Sequence, residues 1–352
     1  MTSSNTTSGF TLYAACALLL GQIVLLPAAY AQDDVERCVM QQFNNGDAAL
    51  TLAQIREKCA AISVQRNNFE PLAEAPPANE PSTGAISNRI LREKMTEFQP
   101  YVITPHKMNY ILPAFYTNAI NTENYLIAGD TDSNLEDIEA KFQISLKVPL
   151  NTGRLLIEGD GLYLGFTLQA WWQIYSEGIS KPFRETNYQP ELFYLAPLPW
   201  HPFDGNTGFM LGIEHQSNGR SQILSRSWNR VYLNLLYEKD RFALSLRPWI
   251  RLAENEKQNA LDPDGDDNPD IIDYMGHYEL GMAYKWDNVT LGMTSRYNFA
   301  THNGFVEAGL TFPLWGKLIG YLTVSDGYGE SLIDYNYNQT RYGLGIALTD
   351  IL

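Results

Sequence analysis

The chain has 352 residues, with 40 acidic against 25 basic side chains and a formal net charge of -15, a balance that excludes a nucleic-acid backbone as partner. After the amino-terminal region no stretch reaches about 18 consecutive apolar residues, so the sequence offers no helical membrane span. A membrane β-barrel stays open, because it spreads its hydrophobicity over alternate positions and is rich in interfacial aromatics, here 21 Tyr and 7 Trp.

Met1 to Ala31 carries no charged side chain, holds an apolar run around Leu18 to Pro27 and ends in the small-x-small pattern Ala29-Tyr30-Ala31. That predicts a secretory signal peptide over 1–31, in which Cys16 is an ordinary signal-peptide cysteine. Residues 32–68 have helical periodicity broken at Asn44-Asn45-Gly46-Asp47, which predicts a helical hairpin. In an exported protein the even pair Cys38 and Cys59 predicts a disulfide across that hairpin, and no histidine lies nearby to suggest zinc. Residues 69–87 carry Pro71, Pro76, Pro77 and Pro81 among small and polar residues and read as a linker, leaving the hairpin as a periplasmic appendage. A short helix is expected from Asn88 to Phe98.

From about Met108 the hydrophobic period becomes two: KFQISLKV from Lys141, FALSL from Phe242, LIGYLTV from Leu318 and RYGLGIAL from Arg341. Turn clusters separate these runs, among them Asn151-Thr152-Gly153, Glu238-Lys239-Asp240, Trp286-Asp287-Asn288 and Thr301-His302-Asn303-Gly304. About twelve alternating runs have the length that a tilted membrane strand requires. The expected fold is therefore all-β, a twelve-stranded antiparallel transmembrane β-barrel over 88–352, with the helical hairpin as an extension. A soluble antiparallel sandwich is the alternative. In the last strand Tyr342, Leu344, Ile346 and Leu348 share a face with the terminal Leu352, as in outer-membrane barrels.

The chemistry concentrates in GIEHQSNGRSQILSRSWN, from Gly212 to Asn229. On a strand His215 and Ser217 point to one side, with Ile213, Leu211 and Phe209. In a membrane barrel that row faces lipid. Serine-based ester hydrolysis needs a base for the hydroxyl proton and a third group that holds the base in one tautomer. Asn229, on the next strand in phase with Val231, Leu233, Leu235 and Tyr237, is the natural third member. A His-x-Ser pair on a strand is common; its place on an apolar face near a strand end, where polar groups are costly, raises its weight. The intervening loop, with Gly219, Ser221 and Ser225, offers hydroxyls and carbonyls suited to a hard cation.

The stretches HQSNGRS, SRSWNRVY, PFRETNY, DDNPD and GYGESLIDYNYNQTR together resemble outer-membrane phospholipase A, from about Phe98 to the end. The resemblance implies a calcium-dependent homodimer in the bacterial outer membrane that hydrolyses sn-1 and sn-2 acyl esters of outer-leaflet phospholipids. By position it implies Ser217 as nucleophile, His215 as base, Asn229 as its orienter and the N–H of Gly219 as oxyanion donor. For Ca2+ it implies the carbonyl of Arg220 and the hydroxyl of Ser225 from one subunit and Ser180 from the other. The chain departs from the family at Gln222, where a second calcium site has an aspartate paired with the counterpart of Asp267. It departs again at Leu168, where a dimer interface has a glutamine. Residues 32–87 have no counterpart in the family pattern.

Other candidates are assigned to structure. His106, His201, His277 and His302 are expected at the surface or interface, Trp171, Trp172 and Tyr175 in an interfacial belt, and Asp262 to Asp270 in a solvated loop without EF-hand spacing. A lipid A deacylase and a passive porin-like barrel are the competing functions. The third member Asn229 and the strand count argue against the first, and the outward parity of His215 and Ser217 against the second.

Overall fold

The computed structural model describes residues 84–96, 104–127, 135–151, 153–178, 181–259, 261–262, 264–316 and 318–350. The chain divides into residues 1–78 and 79–352, and every described residue belongs to the second unit. The signal peptide, the 32–68 hairpin with its cysteine pair, the linker up to residue 83, Ser180 and Leu352 lie outside the described residues.

After a two-residue strand β1 (Thr104–Pro105), twelve strands follow among the described residues: β2 (Tyr110–Thr117), β3 (Ile138–Pro149), β4 (Gly161–Trp172), β5 (Phe183–Leu198), β6 (Asn206–Ser217), β7 (Ser227–Lys239), β8 (Phe242–Arg251), β9 (Tyr278–Trp286), β10 (Val289–Tyr297), β11 (Gly304–Pro313), β12 (Ile319–Tyr328) and β13 (Asn338–Ala347). Each pairs antiparallel with its sequence neighbour, and β13 returns to β2, matching Arg341 with Thr117 and Ala347 with Tyr110. The sheet closes and leaves no edge, which a bilayer demands because it offers backbone groups no other partner. β1 prolongs the line of β2 against the end of β3, pairing Thr104 with Lys147.

One rim carries the tight hairpins Asp240-Arg241 and Asp287-Asn288, whose aspartates take φ of 50° and 53°, the left-handed geometry that two-residue turns favour. The opposite, loop rim carries the long connections, including residues 218–226, 252–277 and 329–337. Along the walls Leu164, Phe166, Leu211, Ile213, Leu322 and Leu344 are exposed, while Lys141, Ser145, Thr167, Glu191, Glu214 and Arg341 are buried inside. Apolar outside and polar inside is the parity of a membrane barrel.

The helix Ala85–Thr96 begins at Ala85 rather than Asn88. The carboxylate of Glu238 on β7 accepts the N–H groups of Ile86 at 2.6 Å and Ser87 at 3.1 Å, together with the Ser87 hydroxyl. A negative group thus satisfies helix N-terminal donors that the sequence leaves open. The same contact explains why Glu238 and Lys239 belong to β7 and not to the turn: the hairpin needs only Asp240 and Arg241.

Three further expectations are corrected by side-chain direction. Trp171 is fully buried, out of phase with the outward Leu164 and Phe166, and lies 5.2 Å from the Lys141 ammonium over its ring. His106 faces the lumen, stacked on Phe193 at 4.8 Å and 2.9 Å from Glu191, because β1 continues the barrel wall. The acidic loop is solvated only in part: Asp264 and Asp270 are exposed, whereas Asp266 receives Arg251 at 2.5 Å, Asp267 receives Lys257 at 2.5 Å and Asp270 also receives the Tyr335 hydroxyl at 2.6 Å.

Near the loop rim the lumen is locked by charge. Arg184 makes two 2.9 Å bonds to Glu139 and one of 2.8 Å to Asp334, while Arg341 reaches Glu139 at 2.8 Å, all four side chains being fully buried. Burial works against the charged form of Asp334, but Arg184 and Arg341 outweigh it and hold the carboxyl below the usual carboxylate range. This cluster fastens the 329–337 loop into the barrel mouth. Glu139→Ala removes one of the two carboxylates that Arg184 and Arg341 share, leaving the buried cluster with Asp334 alone against two guanidinium groups, and breaking such a buried pair costs about 3–5 kcal/mol. Heat-modified migration of the folded barrel on gels is expected at a clearly lower temperature for the variant, and an unchanged transition would refute this role for the cluster.

Candidate active site

The site forms where β6 and β7 reach the loop rim. Their pairing runs without interruption from Asn206 opposite Glu238 to Ser217 opposite Ser227, and it sets His215 directly across from Asn229. In an antiparallel pair opposed residues share a face. His215 Nδ1 lies 2.9 Å from Asn229 Oδ1. Ser217 follows on the same face of β6, about 6.8 Å along the strand, with Tyr188 of β5 as its other neighbour. His215 and Ser217 end an outward row whose Leu211 and Ile213 are 50% and 53% exposed, so the pair stands on the wall's outer surface.

The inner face of the same strands is packed hard. Glu214 takes Arg230 and Arg247, each at 2.7 Å. Trp228, fully buried, donates its indole N–H to Gln216 at 2.9 Å and carries the Arg230 guanidinium 3.7 Å above its ring. These inner contacts brace the strands that carry the outer pair.

The 218–226 loop is organised by Asn218, which the sequence reading did not single out. Its side-chain oxygen accepts the N–H groups of Arg220 at 3.3 Å and Arg226 at 3.0 Å, and its amide donates to the Leu224 carbonyl at 2.8 Å. Behind it Glu185 accepts from Asn218 at 3.4 Å and lies 3.6 Å from Arg220, linking the loop to the lumen. The guanidinium of Arg220 also donates to the carbonyls of Phe183 and Arg184. Gly219 adopts φ +64°, where a side chain is strained, and a Cβ there would meet the Tyr188 ring at 3.2 Å.

Of the residues expected to hold calcium, Arg220 and Ser225 share this loop and Ser180 lies outside the described residues. The Ser225 hydroxyl donates to Asp267 at 2.7 Å. Among the described residues no group of three or more His, Cys, Asp or Glu side chains is placed to hold a metal. A cation here would be held mostly by neutral oxygens, a donor set that fits a hard ion such as Ca2+. Asp267 is neutralised by the Lys257 ammonium, and the main chain of Gln222 forms a single 3-10 turn over Gln222–Leu224.

The closed barrel thus places a serine and an amide-held histidine on one lipid-facing row. The family model described as phospholipase A1 matches residues 86–348. Phospholipase A1 of Klebsiella pneumoniae is 39% identical over 256 residues, covering 72% of this chain and 84% of its own, and that of Escherichia coli K12 is 37% identical over 296 residues, covering 83% and 94%. An active-site mutant structure of outer membrane phospholipase A from Escherichia coli superposes with a TM-score of 0.69 at 35% identity, covering 76% of this chain and all of that one. A calcium-bound dimer of the Salmonella typhi outer membrane phospholipase superposes with a TM-score of 0.67 at 36% identity, covering 75% and 98%. The chain belongs to the phospholipase A1 family, and it is a phospholipase with an outer-membrane barrel.

Left-handed backbone costs a non-glycine residue about 1–2 kcal/mol. Gly219→Ala should therefore leave the barrel folded while shifting the loop and lowering lipid turnover. Wild-type rates in the variant would show that the loop does not depend on this backbone geometry.

Proposed function

We propose that the protein is a calcium-dependent phospholipase that cleaves sn-1 and sn-2 acyl esters of outer-leaflet phospholipids with Ser217, His215 and Asn229, and that it is active as a homodimer. The observation that carries this reading is the 2.9 Å contact between His215 Nδ1 and Asn229 Oδ1 on the outward face. An amide oxygen only accepts, so Nδ1 carries the proton and donates it to that oxygen, leaving Nε2 free as base. The Ser217 hydroxyl attacks the acyl carbon as Nε2 takes its proton. The resulting oxyanion is held by the N–H of Gly219. When the intermediate collapses, the lysophospholipid oxygen leaves with the proton from His215, and water activated by the same Nε2 then releases the fatty acid. Loops crown the rim beside these residues, the arrangement barrels present to the exterior, which supports access to the outer leaflet.

Ca2+ bound by the Arg220 carbonyl, the Ser225 hydroxyl and Ser180 of the partner subunit would add positive charge beside the developing oxyanion. Two protein ligands from one chain are few for an ion that takes six to eight oxygens, which supports a site completed across a dimer. The outward row at Leu164, Phe166 and Leu168 offers an apolar contact surface for that assembly. A passive pore is disfavoured by the charged network and by Trp171 and Trp228 packed into the lumen near its loop rim.

Ser217→Ala should lower fatty-acid release from mixed phospholipid micelles by on the order of 10⁴-fold or more while the barrel still folds. Near-native turnover in that variant would end the mechanism. Ser225→Ala should raise the calcium concentration for half-maximal activity by roughly tenfold, about 1.4 kcal/mol. Chelation should shift the wild type towards monomer, since calcium and dimerisation are reciprocally linked. Full activity in chelator together with a calcium-independent dimer fraction in sedimentation would exclude the shared site.

A further inference from the structure

We propose that Glu254 is a positioning residue of this active site, acting on His215 through Asn229. The inference rests on the triad reading above. Asn229 Oδ1 faces His215 Nδ1 at 2.9 Å, and its Nδ2 donates to Glu254 Oε1 at 3.1 Å. An amide on its own has two ends of nearly equal shape and turns over easily. With the ends exchanged, an NH2 would face Nδ1, the ring proton would move to Nε2, and the base could not take the serine proton. A carboxylate accepts and never donates when ionised. Glu254 therefore admits only the NH2 end, and the oxygen is left for the imidazole.

The same contact answers a weakness of a neutral third member. An amide stabilises imidazolium less than a carboxylate does; a carboxylate one hydrogen bond further out polarises the amide oxygen towards the ring. The triad then becomes a four-membered chain, Ser217, His215, Asn229 and Glu254, with its negative charge at the outer end.

Backbone geometry delivers Glu254 to this place. The Leu252 N–H donates to the Asn229 carbonyl at 2.8 Å, carrying the β7–β8 ladder past the Arg230 and Arg251 pair. Ile250 and Leu252 are exposed, and just past the end of β8 at Arg251 the chain brings Glu254 against Asn229 at the rim. The contact depends on β8 lying beside β7.

The test uses the purified full chain with calcium and phosphatidylcholine in nonionic detergent micelles, comparing wild type, E254A, E254Q, N229A, N229A/E254A and S217A. Loss of a residue that orients a catalytic group costs about ten- to a hundredfold, so E254A is expected to lose that much kcat with KM and calcium requirement unchanged. E254Q, which retains an acceptor oxygen without the charge, should fall between E254A and wild type. In the N229A background E254A should cost less than about twofold, since its effect passes through Asn229. A loss of equal size in both backgrounds, or E254A turnover within about twofold of wild type, would overturn the role of Glu254 while an inactive S217A left the hydrolase reading standing. Activity retained by S217A would overturn the reading on which both rest. Should E254A fail to reach the folded form, E254Q measured in the native and N229A backgrounds decides by the same comparison.

Discussion

Closure of the backbone ladder is the constraint on which the rest of this protein depends. Within hydrocarbon no N–H or C=O can turn to water, so twelve strands pair in sequence and β13 returns to β2. Closure then assigns each side chain by parity alone, one residue to lipid and the next to the lumen. The usual meaning of burial is inverted: Ile213 and Leu211 are exposed because lipid is their solvent, and Glu139, Arg184 and Arg341 are buried because they satisfy one another.

That inversion bears on where the proposed chemistry sits. A substrate dissolved in the bilayer reaches only the outer face, so the mechanism proposed above needs a reactive row that continues the apolar one. His215 and Ser217 do so at the rim, where the wall meets the headgroups and polar side chains are tolerated. The lumen serves instead as the rigid backing. The Trp228 and Arg230 stack, the Glu214 pair and the Glu139 cluster hold β5 to β7 and the loops above them, so the outer groups need few contacts of their own.

The supports of the site run through the wall rather than along it. Glu185 points inward yet accepts from Asn218, whose oxygen shapes the loop that carries Gly219, Arg220 and Ser225. Glu254 approaches from the neighbouring hairpin on the outer side. Inner and outer layers thus meet at the β6 and β7 ends.

By itself the sequence determined the period of two, the turn chemistry, the approximate strand count and the outward parity of His215, Ser217 and Asn229, because these are local properties of an extended chain. Its longest motifs carried the family. Tertiary structure alone decided the fate of side chains whose partners lie far away in the chain. Trp171 and His106 turn inward onto Lys141 and Glu191, Glu238 caps the helix at Ala85, and Asp266 and Asp267 are held by Arg251 and Lys257. Glu254 belongs with them: its bond to Asn229 exists only because β8 packs against β7 and the chain leaves β8 beside that residue. Periodicity records which side of a strand a residue takes, and only the closed sheet says what waits for it there.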